Sequence, residues 1–117
     1  MVIVIMMNVY YLDDEPALCD IFSDLFSTDT IHIQTFTDAS LAIQACSESA
    51  PDLFFIDMSL GNTTGDKVAQ AVADDIVKIL ITGNLSGHSD NLFHTSFSKP
   101  YNMTEIQSFL SDWEASL

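Results

Sequence analysis

Arginine is absent from this chain of 117 residues, and only three lysines, Lys67, Lys78 and Lys99, stand against 17 acidic residues. The formal net charge is −14. A field of that sign repels phosphate backbones and excludes direct binding of DNA or RNA, while it favours cations and basic partner surfaces. Most of the carboxylates read simply as a solvated surface. Cysteine is scarce too. Cys19 and Cys46 are too few and too far apart for a disulfide scaffold, and both read as small buried residues in a reducing compartment. No run reaches the roughly 20 apolar residues that a membrane-spanning helix needs. The apolar start, MVIVIMMNVYYL, also lacks the basic segment and small-residue cleavage site of a signal peptide. A cytoplasmic protein is therefore expected, with no membrane partner. Met1–Met6 either extend the first strand or precede a domain that begins at Met7.

The chain is 48% hydrophobic, enough for one domain with a real core. The run Leu53-Phe54-Phe55-Ile56 has no polar break, which suits a strand buried on both faces, and it ends in Asp57. A carboxylate placed there is costly unless something charged meets it. Val9–Leu12 is a short apolar strand ending in Asp13-Asp14-Glu15. Pro16 then suits the first turn of a helix, and Leu18, Ile21, Phe22, Leu25 and Phe26 recur at helical spacing to about Ser27. Residues 31–36 alternate apolar and polar residues, as a strand with one exposed face or an edge strand does. Asp38 caps a second helix carrying Ala39, Ala42, Ile43 and Cys46. A short helix is expected from about Asp66 to Asp74. Ile76–Ile81 form a fourth strand ending in Thr82, and Thr95–Ser98 a weak fifth that runs into Lys99-Pro100. Asn102 with Glu105 forms a capping box for a last helix bearing Ile106, Phe109, Leu110 and Trp113. Leu85–His94 supports at most a short, marginal helix.

Strands alternating with helices predict a three-layer α/β sandwich around a doubly wound parallel sheet. In such sheets the site lies beyond the carboxyl ends of the strands. That rule gathers Asp13, Asp14, Asp57, Thr82 and Lys99 at one edge. Alone, each has an ordinary explanation: a turn-forming Asp, a β-forming Thr, a solvated Lys. Four of the five strands ending in groups suited to one chemistry is the informative fact. Clustered carboxylates repel one another unless a cation is present, and oxygen ligands at a partly hydrated site suit Mg2+. A carboxylate beside such an ion can attack a phosphoryl donor, with an ammonium neutralising the transferring oxygens. His32, His88 and His94 read as solvated loop residues.

LDDEP, FFIDMSLGNTTG, ILITGN and FSKPY together resemble a response-regulator receiver domain, over essentially the whole chain from Asn8 onward. The resemblance implies a flavodoxin-like fold of strand order 2-1-3-4-5 and a single receiver domain over residues 1–117. It implies that Asp57 accepts phosphate from a histidine kinase or phosphotransfer protein. By the same match Asp14 and Asp57 ligate Mg2+ directly, with Mn2+ as a substitute. The Ser59 backbone carbonyl assists, and Asp13 acts through a metal-bound water. Thr82 and Lys99 contact the phosphoryl group. Ser59 and Asn84 flank the attacking water, and being small and polar they imply a phosphoryl lifetime of ordinary length.

Three departures from the family pattern stand out. Residues 83–98, sixteen in all, separate Thr82 from Lys99, fewer than usual, so the helix between strands four and five should be cut short or remodelled. Ser96 stands at the switch position that often holds an aromatic residue, and Gly61 stands where a proline is usual. A stand-alone receiver follows, signalling to a downstream protein target by contact or by onward phosphotransfer. Dimerisation is permitted but unspecified, and exposure of Leu85, Leu92 and Phe93 would mark a partner face. A non-switching receiver-like interaction module is the alternative. A small α/β phosphatase is disfavoured because residue 59 is Ser where a second acid is required.

Overall fold

A computed structural model of the chain describes residues 5–83, 91–100 and 102–117. Five strands, β1 (Met7–Leu12), β2 (Ile31–Phe36), β3 (Leu53–Asp57), β4 (Val77–Thr82) and β5 (Thr95–Ser98), form one sheet in the order β2-β1-β3-β4-β5. Every pairing is parallel. The described residues also form four helices: α1 (Pro16–Phe26), α2 (Ala39–Glu48), α3 (Gly65–Ala71) and α4 (Met103–Ala115). The expected flavodoxin-like architecture and strand order are both present. No helix among the described residues is long and apolar enough to cross a membrane.

Strand periodicity builds two cores. Val9 and Tyr11 point to one face of the sheet, Tyr10 and Leu12 to the other, because successive side chains of a strand alternate. The first face joins Phe55, Ile79 and Ile81 to Phe22 and Phe26 of α1 and Ile106 and Leu110 of α4. The second joins Phe54 and Ile56 to Ala42 and Cys46 of α2 and Val68 and Ala69 of α3. The uniform apolarity of β3 follows from its place: β1 and β4 flank it, helices cover both faces, and all five of its residues are buried. Edge strand β2 keeps its polar alternation. Both cysteines are buried and free, as the sequence suggested.

Local signals set the helix starts. Pro16 opens α1. The Asp38 carboxylate accepts the Ser40 and Leu41 N–H groups at the start of α2, and the Asn102 side chain accepts from the Glu105 N–H at the start of α4. Helix α3 is shorter than expected. It ends at Ala71 because Val72 turns to extended backbone and is buried in the second core, ahead of a turn at Asp74-Asp75. Strand β1 starts at Met7; Ile5 and Met6 precede it and are exposed, so they do not extend it, while residues 1–4 lie outside the described set. The described part of the β4–β5 connection, Gly83 and residues 91–94, holds no helix; the expectations for Asn84, Leu85 and His88 fall outside the described residues. Leu92 and Phe93 are half-buried against the second core rather than exposed, so they do not mark a partner face. His32 is exposed, as expected, but it stands in β2 rather than in a loop. His94 is exposed too, but its ring meets Trp113 edge-on at 5.0 Å, so it is a packed residue rather than a loosely solvated one.

Candidate functional site

The register places the carboxyl ends of β1, β3 and β4 side by side, since Leu12 pairs with Ile56 and Asp57 with Ile81. One residue beyond β1 comes Asp13, with no exposure at all. Asp57 closes β3 and is buried, and Thr82 closes β4 and is buried. Thr82 pairs with Ser98, and the Lys99 N–H donates to the Thr82 carbonyl at 3.0 Å, which brings the lysine to the same edge. The Lys99–Pro100 peptide bond is cis. Asp14 is exposed at the rim. Carboxylate oxygens of Asp13, Asp14 and Asp57 all lie within 4.8 Å of one another.

An ionised carboxylate with no exposure is strongly disfavoured unless it is paired and fully hydrogen-bonded. Asp13 meets that condition three times. Its Oδ1 accepts the Glu15 N–H at 3.0 Å. Its Oδ2 accepts the Tyr11 hydroxyl at 2.9 Å and the Lys99 ammonium at 3.0 Å. The same ammonium donates to Asp57 Oδ2 at 3.1 Å. Asp57 Oδ1 accepts the Ser59 N–H at 3.3 Å. Burial pushes the Asp57 carboxyl above the ordinary carboxylate range; the Lys99 hydrogen bond opposes that push and the Asp13 charge adds to it. For Lys99, burial works downward, but the hydrogen bonds to Asp13 and Asp57 outweigh it and leave the ammonium held more firmly than usual.

The loop after β3 bends back on itself. Ser59 and Thr64 form an isolated antiparallel bridge, whose bonds run from the Gly65 N–H to the Met58 carbonyl at 2.9 Å and from the Leu60 N–H to the Thr63 carbonyl at 3.3 Å. The Ser59 carbonyl is therefore not consumed by the bridge. Gly61 takes a positive φ of 77°, a conformation that favours glycine over the proline usual at this place. A Cβ on Gly61 would stand 3.6 Å from Asp14 Oδ2, so the loop tip lies directly over the rim carboxylate.

The structure thus brings Asp13, Asp14, Asp57 and Lys99 together, with Thr82 at the neighbouring strand end. Ser96 is half-buried on β5, two residues before Ser98, and Phe97 beside it packs on the opposite face against Phe109. Asn84 lies outside the described residues. Sequence reasoning missed Tyr11. Its signal was legible: a tyrosine two residues before Asp13 shares a strand face with it, and a buried phenol needs an acceptor.

The family model of the response regulator receiver domain matches residues 9–108. The chain belongs to that family. Among solved structures, the CheY-like receiver domain of Methylobacillus flagellatus superposes with a TM-score of 0.81 at 18% identity, covering 92% of this chain and 98% of that one. Chemotaxis protein CheY4 of Vibrio cholerae gives 0.82 at 17%, with the same coverage. The response regulator TrrA of Thermotoga maritima, solved in complex with Mg2+-BeF, gives 0.81 at 20%, covering 92% and 99%. Comparison with curated proteins yields no match. As a receiver domain of the two-component type, the chain carries the family's acidic cluster at Asp13, Asp14 and Asp57.

Proposed function

We propose that Asp57 accepts a phosphoryl group in a Mg2+-dependent reaction from a histidine kinase or phosphotransfer protein. The chain then signals to a downstream protein by contact or by onward phosphotransfer. The observation that carries this reading is the meeting of three carboxylates within 4.8 Å with one ammonium bonded to two of them. Carboxylates clustered on that scale suit an ion that binds oxygen at about 2.0–2.1 Å and keeps several waters. Asp14 and Asp57, with the Ser59 carbonyl, would hold the metal directly. Asp13 would act through water, since both of its oxygens already serve protein donors. Mn2+ would substitute. When bound, the ion neutralises charge on the transferring oxygens.

The chain's own residues do the rest. An Asp57 oxygen forms the bond to phosphorus as the donor's P–N bond breaks, leaving the histidine imidazole. Lys99 moves its hydrogen bonds onto a phosphoryl oxygen, and the Thr82 hydroxyl takes another. Beside Lys99 opens an apolar groove of about 590 Å³ formed with Leu18, Ile21, Leu25, Pro100 and Met103, which offers a protein donor a surface next to the acceptor. The small, polar residue types at positions 59 and 84 suit an acyl phosphate of ordinary lifetime; a phospho-form that persisted for many hours would refute this. Cys19 and Cys46 lie in different cores and so do not pair, which fits a cytoplasmic setting.

The test is labelling by acetyl phosphate with Mg2+. Asp57→Asn abolishes it, and persistent labelling in that variant would overturn the assignment of Asp57. The half-buried, non-aromatic Ser96 favours a second reading, an interaction module that does not switch. Amide NMR shifts on adding Mg2+ and beryllofluoride distinguish the two. Changes confined to the loops at Asp13–Glu15 and Met58–Gly65 support the module, and changes reaching β5 and α4 support the switch.

A further inference from the structure

Resting on that reading, we infer that Tyr11 is a positioning residue of the phosphoryl-accepting site, acting through Asp13 to set how Lys99 is divided between Asp13 and Asp57. The Tyr11 ring has no exposure and stacks on Phe22 of α1, with centroids 4.1 Å apart and planes 15° from parallel. That packing aims the hydroxyl at Asp13 Oδ2, 2.9 Å away. Lys99 Nζ lies 3.0 Å from the same oxygen and 3.1 Å from Asp57 Oδ2. Two donors on one acceptor oxygen share its electron density, so each bond is weaker than it would be alone. The phenol thereby loosens the hold of Asp13 on Lys99 and leaves the ammonium available at Asp57. It also fixes the Asp13 carboxylate, whose other oxygen is held by the Glu15 N–H at the entry to α1. Tyr11 of β1 and Phe22 of α1 are both fully buried in the first core, so the hydroxyl's position is set by packing rather than by the site itself.

Tyr11→Phe keeps the ring and deletes only the donor. Asp13 Oδ2 then becomes the stronger acceptor, for cations as well as for Lys99. Two effects of opposite sign follow. Mg2+ binds more tightly, and phosphoryl acceptance at saturating Mg2+ slows, each by about threefold to tenfold, the change that one hydrogen bond of ordinary net worth produces. Isothermal titration calorimetry of the unphosphorylated protein reads the first and acetyl phosphate labelling the second. A purely structural role would weaken both together, and that result, or no change in either, overturns the inference. If wild type binds Mg2+ and is labelled on Asp57 while Tyr11→Phe matches it, only the role of Tyr11 falls. If wild type neither binds Mg2+ nor is labelled, the parent reading falls and takes this one with it. Should Tyr11→Phe fail to fold, 3-fluorotyrosine protein decides, its Tyr11 signal assigned by Tyr10→Phe and Tyr101→Phe. That resonance shifts along the Mg2+ titration with the calorimetric affinity. An unmoved resonance overturns the inference.

Discussion

Gly65 packs against Asp57 so closely that a Cβ at Gly65 would stand 2.9 Å from the Asp57 carbonyl oxygen. It would also meet the Met58 Cα at 3.0 Å and the Ile56 Cγ2 at 3.3 Å. Two of these three neighbours are main chain, which cannot swing aside, so the cost falls on the backbone that carries the acceptor.

Gly65→Ala is therefore expected to destabilise the protein by about 1–3 kcal/mol, the usual penalty of overpacking. Labelling of Asp57 should slow as well, because the displaced peptide holds the acceptor carboxylate. Gly83 is the control: a Cβ there meets nothing within 4 Å. Gly83→Ala should leave the melting temperature within about the range of ordinary surface changes, ±0.5 kcal/mol. Equal losses in the two variants would show that the close approach at Gly65 is not the cause.

Mg2+ should stabilise the fold beyond its ionic strength. At a net charge of −14, any salt relieves self-repulsion, so NaCl at matched ionic strength is the reference. A site filled to ten times its dissociation constant adds about 1.4 kcal/mol. Asp14→Asn and Asp57→Asn remove that excess. Lys99→Met behaves differently. Without the ammonium, Asp13 and Asp57 face each other unpaired, and the metal-free protein loses about 1–3 kcal/mol, discounted for the quarter of the lysine side chain that remains exposed. Mg2+ then supplies the missing positive charge, so the melting-temperature rise on adding it exceeds that of wild type. A smaller rise would contradict the charge-balance account of Lys99.

Burial pushes both thiols, Cys19 and Cys46, up to about 11 from an ordinary 9.0. Near pH 8 the reactive thiolate is then about a thousandfold below the thiol, so Ellman's reagent should modify neither residue in the native protein and both after unfolding. The sign for stability follows. Between about pH 9 and 11 the unfolded chain releases these two protons while the folded one keeps them, so stability falls as pH rises through that window. Replacing both cysteines by Ala should flatten the fall. A loss of stability unchanged in that variant would assign the effect to other groups.

Much of the fold was legible in the sequence for a local reason. A strand alternates sides every residue, so the pattern of Val9–Leu12 and the unbroken run Leu53–Ile56 reveal which strand is central before any contact is known. Asp38 and Asn102 announce helices through bonds to residues two or three positions on. The site acids were legible because parallel strands share a direction, and so their last residues share an edge. Helix α3 was misjudged at its end, where the burial of Val72 in the second core, a tertiary contact, overrode the helical pattern. Exposure of Leu92 and Phe93 was likewise a question of what lay beneath them.

By itself, the sequence determined the strand and helix order, the two apolar faces and the identity of the groups delivered to the sheet edge. These depend on the chemistry of each residue and on periods of two or of about 3.6. Only the tertiary structure decided which oxygen each donor meets. Lys99 lies 86 residues from Asp13 and 42 from Asp57, and its bonds to them depend on the register of β4 with β5 and of β1 with β3 with β4. The Tyr11 hydroxyl reaches Asp13 because α1 packs Phe22 beneath the ring. Hydrogen bonds form over fractions of an ångström, and no sequence pattern fixes distances that fine; the packed core does.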